Sequence, residues 1–207
     1  MKVFDARRLQ DEEFDASFLS ALGDACRTTG VFQLTGAQVL FDDSRVAHTR
    51  ESSMETIVSD AVEATTSLFA LPLEEKRQFQ RLPGRTAMGW SNCELTKQRL
   101  DLKELWDISW VSNPDRHLEH ASNVSIDGYN RLPEGDVRDR LLAYYRVAKD
   151  TVCDPLYRAL CAALELDFDA VQAVTIGDNP KSLGFLRLNH YWKHADDEGM
   201  NIHVRVN

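Results

Sequence analysis

The chain has 207 residues, 43% of them hydrophobic, which suffices for one domain or one and a half with a core of its own. Its formal net charge of -9, with Lys and Arg scattered rather than in runs, excludes a nucleic-acid or anionic-membrane surface, since both need a basic patch. Cys26, Cys93, Cys153 and Cys161 show no Cys-x-x-Cys spacing, so a zinc site and a disulfide framework are set aside and buried, reduced thiols are expected. The N-terminus meets Asp5 without an apolar leader, and no stretch has the length of a membrane span, so a soluble, cytoplasmic setting is expected.

In chain order, Phe14, Phe18, Leu19, Leu22, Ala25 and Cys26 fall on one helical stripe, and Gly30 is placed to close that helix. Val31–Leu34 reads as a short strand. Asp42, Asp43 and Ser44 offer N-caps for a long helix whose stripe is Met54, Ile57, Val58, Ala61, Thr65 and Leu68. Pro72 suits the first turn of a short helix carrying Glu74 and Glu75 near its positive end. Leu82–Thr96, with Pro83, Gly84 and Gly89, reads as an ordered loop. Leu105–Val111 is rich in aromatic and β-branched residues and is predicted as a strand.

Asn113–Pro133 reads as a loop. The long helix after it places Val137, Leu141, Tyr144, Ala148, Val152, Leu156, Leu160 and Ala163 on one face, and Pro155 should kink it, because the ring clashes with the carbonyl four residues back. Asp169 starts a last short helix through Val174. Leu183–Tyr191 then alternates: Leu186, Leu188 and His190 point one way, and Phe185, Arg187, Asn189 and Tyr191 the other. Alternation alone fits a half-buried strand with its polar face in water; the same polar residues could also line a cleft. No repeat or flexible linker separates these elements.

Several segments, in order, carry a resemblance. Arg27-Thr28-Thr29-Gly30-Val31-Phe32-Gln33-Leu34 reads as a helix, glycine and aromatic strand. Phe69-Ala70-Leu71-Pro72-Leu73-Glu74-Glu75-Lys76 is a Phe-x-Leu-Pro-x-Glu-x-Lys junction. Gly89-Trp90 precedes Asp101-Leu102-Lys103-Glu104-Leu105-Trp106-Asp107-Ile108, and Arg187-Leu188-Asn189-His190-Tyr191 precedes Gly199-Met200-Asn201-Ile202-His203. Together they resemble the N-terminal region and barrel entry of the isopenicillin N synthase-like Fe(II)/2-oxoglutarate-dependent dioxygenases.

The resemblance implies an α+β fold: a helix-rich region over residues 1–180, then the start, over 181–207, of a double-stranded β-helix (jelly-roll) barrel. It implies oxidation of a small organic molecule with Fe(II) and 2-oxoglutarate. By resemblance Asn189 and Tyr191 face the 2-oxoglutarate, Arg187 faces the substrate, and His203 stands at the first iron-ligand position. Arg187 could equally be a solvated strand charge.

The sequence departs from the pattern at Arg205, where the iron's carboxylate ligand would stand two residues after His203. Iron of this type needs two His and one carboxylate on one face, and a guanidinium opposes a cation. The second His and the Arg-x-Ser for 2-oxoglutarate would fall beyond Asn207. The expectation is therefore a chain that binds neither cofactor alone and self-associates through uncovered strand edges, which keeps open a non-catalytic α+β or partner-binding module. His190 and His194 have the spacing of a helical metal pair, but a strand spreads that spacing apart. Trp90, Trp106 and Trp110 are expected as core or loop anchors, and Asp101, Lys103 and Glu104 as a solvated face.

Overall fold

The computed structural model describes residues 1–11, 13–37, 54–93, 95–96, 99–100, 102–109, 128–176 and 184–192. By contacts the chain divides into two compact units, Met1–Ser59 with Ala143–Pro180, and Asp60–Leu142 with Lys181–Asn207. No described helix is long and apolar enough to cross a membrane.

In the first unit β1 (Lys2–Asp5) pairs in parallel with β2 (Phe32–Thr35), Phe4 standing opposite Leu34. α1 (Ala16–Thr28) connects them, capped by the Asp15 carboxylate, which accepts from the Phe18 N–H at 3.0 Å. Gly30, at φ 67°, closes the helix as expected, its N–H donating to Ala25 at 2.9 Å. The apolar stripe of α1 packs into a core of Phe4, Leu9, Phe18, Leu22, Val147 and Ala159. Phe4 meets Phe18 and Phe32 edge-on, with ring centroids 5.7 and 5.5 Å apart. β1 is absent from the sequence reading: four residues with one buried side chain give little periodicity, and the partner strand is remote in sequence.

The expected kink at Pro155 takes a specific form. α4 (Asp136–Ala148) passes into a π turn (Lys149–Cys153) and then α5 (Asp154–Ala163), with the Asp154 N–H reaching back to Lys149. The wider turn keeps the backbone bonded where proline supplies no donor. Val152, Leu156, Leu160 and Ala163 of the expected stripe pack, partly buried, against the core, while Thr151, Ala159 and Cys161 beside them are buried outright. α6 (Phe168–Ile176) follows, longer than expected by a residue or two at each end.

In the second unit α2 (Met54–Ala70) buries Ala61, Thr65 and Leu68 as its stripe predicts. The N-caps expected at Asp42, Asp43 and Ser44 lie outside the described residues. α3 (Leu73–Gln78) starts after Pro72. Where a loop is expected over 82–96, the chain forms β3 (Gly89–Ser91), and β4 (Leu95–Thr96) pairs with β5 (Arg99–Leu100). Prolines and glycines around it disguise β3 in the sequence. Gly89 itself sits at φ 119°, and a Cβ there would lie 2.4 Å from the Phe79 carbonyl, so only glycine fits.

β6 (Lys103–Ser109) is the centre of an antiparallel sheet ordered β3-β6-β7, with β7 at Phe185–Tyr191. The strand expected to Val111 thus starts two residues early, and Val111 lies outside the described residues. Of the expected 113–133 loop, residues 128–133 are described. There the Asn130 side-chain amide brackets Ser109, accepting from its N–H at 2.7 Å and donating to its C=O at 2.8 Å, as a neighbouring strand would. The α+β reading holds. The expectation of buried thiols holds only in part: all four cysteines are free, but only Cys161 is buried, while Cys93 and Cys153 are exposed.

Candidate functional site

The register of β6 with its neighbours sorts the sheet into two unlike faces. Trp106 stands opposite Trp90 on one side and Leu188 on the other, Glu104 opposite His190, and Ile108 opposite Leu186. This face is packed with Trp90, Trp106, Ile108, Leu186 and Leu188, all buried. The other face carries Gly89, Ser91, Leu105, Asp107 and Ser109, with Arg187 opposite Asp107 and Asn189 opposite Leu105. The alternation expected for residues 185–191 is therefore present. Trp90 and Trp106 are core anchors, as expected, and Trp110 lies outside the described residues.

Glu104 corrects the sequence reading. It is no solvated charge: the residue is 3% exposed and its carboxylate is fully engaged within the apolar face. Lys76 Nζ, projecting from α3, donates to both oxygens at 3.0 and 2.9 Å. The Trp90 indole Nε1 donates at 2.8 Å. His190 Nδ1 lies 2.9 Å from Oε1, and because an ionised carboxylate only accepts, this nitrogen carries the proton. The His190 ring also packs on Phe69, centroids 5.2 Å apart. His190 is thus committed to Glu104. Its supposed metal partner, His194, lies outside the described residues.

Burial pushes the Glu104 carboxyl up, but the hydrogen bonds from His190, Lys76 and Trp90 more than offset that, holding it below the ordinary value of 4.5. A folded-state value below the unfolded one contributes stability that is present above the unfolded value and lost as pH falls through the folded one. Stability should therefore drop on acidification below pH 4.5, and Glu104→Gln should flatten that part of the profile. Denaturant midpoints measured from about pH 7 to about pH 3 in both proteins check this, and parallel curves would contradict it.

On the opposite face Asp107 is 3% exposed and shared by two guanidinium groups. Arg187 grips it through both ends, Nε to Oδ1 at 2.8 Å and Nη2 to Oδ2 at 2.9 Å. Arg81, in the turn before β3, also donates to Oδ2. Arg187 is therefore not the fully solvated strand charge that alternation alone allows. Asn189 is 2% exposed, and its Oδ1 meets no donor, an orphaned buried acceptor among the described residues. Tyr191 shares this face but is exposed, its ring beneath Lys103 with Nζ 5.7 Å from the centroid.

Sequence reasoning missed Arg81 and the depth of Glu104. The sequence reads Glu104 as part of a solvated face, and Arg81 precedes the loop expected from Leu82; their partners are set by long-range pairing that a single sequence does not display. His203 and Arg205 lie outside the described residues, and among those described no group of three or more His, Cys, Asp and Glu could hold a metal. The described residues thus do not fit an iron site. For 2-oxoglutarate, which only accepts, the usable group is the Asn189 Nδ2 donor; the orphaned Oδ1 is an acceptor that such a ligand does not satisfy.

No curated protein matches the chain. Solved structures do. A full-length Neurospora crassa protein in complex with alpha-KG superposes with a TM-score of 0.60 at 16% identity, over 91% of this chain and 53% of that one. JOX2 in complex with 2OG, Fe and JA gives 0.63 at 20% identity, over 94% and 48%. A putative 2OG-Fe(II) oxygenase family protein from Caulobacter crescentus gives 0.61 at 18% identity, over 96% and 58%. At these identities the likeness is one of fold, and the chain spans about half the length of the structures it matches. The family model described as non-haem dioxygenase in morphine synthesis N-terminal matches residues 1–135, and the chain belongs to that family.

Proposed function

We propose that this chain is the N-terminal part of a non-haem Fe(II)- and 2-oxoglutarate-dependent oxidoreductase of the isopenicillin N synthase-like type, acting in the cytoplasm on a small organic molecule. Residues 1–180 form the non-haem dioxygenase N-terminal region, and residues 181–207 begin the catalytic barrel. The observation that carries this is the polar face of β6 and β7, where Arg187, gripping the buried Asp107, stands beside the buried Asn189, whose Nδ2 is a donor a carboxylate can accept from. Asn189 and Tyr191 would hold 2-oxoglutarate, and Arg187 would face the substrate. Together Fe(II), O2 and 2-oxoglutarate supply an oxidation coupled to decarboxylation to succinate. Small-molecule ligands are also seen in similar structures: the Neurospora crassa protein has been crystallised with thymine and JOX2 with JA.

The chain's own contribution to iron is weak. His203 would occupy the first ligand position, but Arg205 stands where the carboxylate belongs. The isolated 207-residue chain is therefore expected to take up far less than one Fe(II) and to form no succinate, whereas the intact protein forms succinate from 2-oxoglutarate. Anaerobic calorimetry with Fe(II) and a succinate assay check both statements. Stoichiometric iron in the isolated chain, or no succinate from the intact protein with any small acid or base tried, would sink this reading. The second outcome would favour a non-catalytic α+β module, which the Arg205 replacement also supports.

A further inference from the structure

We infer that His190 is a positioning residue for the ligand face: its bond to Glu104 locks the register of β7 and so holds Asn189 and Tyr191 in place on the opposite side of the strand. The inference deepens the reading just proposed and rests on it, since it takes Asn189 and Tyr191 as the residues that meet 2-oxoglutarate.

The apolar pattern of β7 leaves one register error open. A slip of one residue turns Leu186 and Leu188, both buried, out of the packed face and is strongly opposed. A slip of two residues keeps every side chain on its own face, with leucine replacing leucine. At about 3.4 Å per residue, it nevertheless carries Asn189 about 7 Å along the sheet. Among the described residues β7 pairs with β6 alone, so no second ladder opposes that movement.

Glu104 removes the ambiguity. Of the β7 residues on the packed face, Leu186, Leu188 and His190, only His190 is polar. It stands opposite Glu104, with Nδ1 2.9 Å from Oε1 of that buried carboxylate. In the two slipped registers Leu188 or Trp192 would face Glu104 instead, and a buried acceptor would lose a donor. Specifying register is the best-attested use of a buried polar pair. The carboxylate is itself held from two other elements, by Lys76 of α3 and Trp90 of β3, so His190 is tied to a fixed point. Arg187 and Asp107 mark the same register on the other face, but a long arginine side chain can follow its partner where a short imidazole cannot. His190 lies between Asn189 and Tyr191 in sequence, so the lock acts within one residue of both.

The test uses the intact protein, without oxygen, and two variants. His190→Phe keeps a ring on Phe69 but removes the donor, and His190→Asn places an amide N–H where Nδ1 stands. Glu104 keeps Lys76 and Trp90 in both, so the sheet still forms. Amide hydrogen exchange over residues 185–192 should be at least about tenfold faster in His190→Phe and close to wild type in His190→Asn, with α1 unchanged in both. By calorimetry, 2-oxoglutarate should bind about tenfold more weakly to His190→Phe, and within about threefold of wild type to His190→Asn. In an Asn189→Ala background His190→Phe should change the affinity by less than about threefold, because the residue it acts through is already gone. Unchanged exchange in His190→Phe, a His190→Asn protein no better than His190→Phe, or a His190→Phe loss that persists in full without Asn189 would overturn the inference. Wild-type protein that binds no 2-oxoglutarate removes the ligand reading, and the exchange comparison then decides the lock by itself.

Discussion

Replacing Glu104 with alanine should cost about 3–5 kcal/mol of folding stability, the range seen when one partner of a buried ion pair is removed. The cost comes from what is left behind. Lys76 would keep a charge in a buried position, the Trp90 indole would lose its acceptor, and His190 Nδ1 would face no carboxylate. Glu104→Gln should fall between wild type and alanine, because an amide oxygen can still accept from Trp90 while Lys76 stays unneutralised. Removing both charges together, Lys76→Met with Glu104→Leu, should cost less than the sum of the single changes, since neither charge is then stranded. Urea denaturation of the set decides the matter. A loss below about 1 kcal/mol for Glu104→Ala would mean that the pair is solvated, as sequence alone suggests.

Leu188→Asp should be comparably severe, about 4 kcal/mol or more, because it places an unpaired carboxylate in the packed face. Leu188 is 1% exposed and stands opposite Trp106, which is itself fully buried. No cation of the described residues points to that position: Lys76 is spent on Glu104, and Arg187 emerges on the other side of the strand. The readout is the denaturation midpoint. A change of under about 1 kcal/mol would mean that the assignment of faces along β7 is reversed.

Much of this was legible in the sequence, for identifiable reasons. Helices α1 and α2 have long apolar stripes and a defined cap or stop, and such periodic signals survive tertiary context. β7 was legible for a similar reason: its seven residues alternate throughout, and two faces of unlike chemistry fix the register. β1 and β3 were not, being four and three residues long and stabilised by partners far away in the chain. The site shows the same division. Arg187 and Asn189 could be placed together from their spacing alone. That Arg187 is clamped by Asp107, and that Glu104 is buried, follows only from pairing β6 with β7, a long-range relation that a single sequence does not display. The π turn is an intermediate case, since Pro155 announces a disturbance without specifying its form.

The two-faced sheet can be tested at a single dipeptide, since Leu188 and Asn189 are neighbours in sequence and opposed in role. In the intact protein, Leu188→Ala and Asn189→Ala are compared by melting and by the affinity for 2-oxoglutarate under anaerobic conditions. Leu188→Ala should lose about 2–5 kcal/mol of stability and leave the affinity within about twofold. Asn189→Ala should melt close to wild type, since its buried Oδ1 has no partner to lose, and should weaken 2-oxoglutarate about tenfold, since the Nδ2 donor goes with it. An Asn189→Ala protein that binds 2-oxoglutarate as well as wild type, with Leu188→Ala carrying the loss of affinity instead, would contradict the division of the sheet into a structural face and a ligand face.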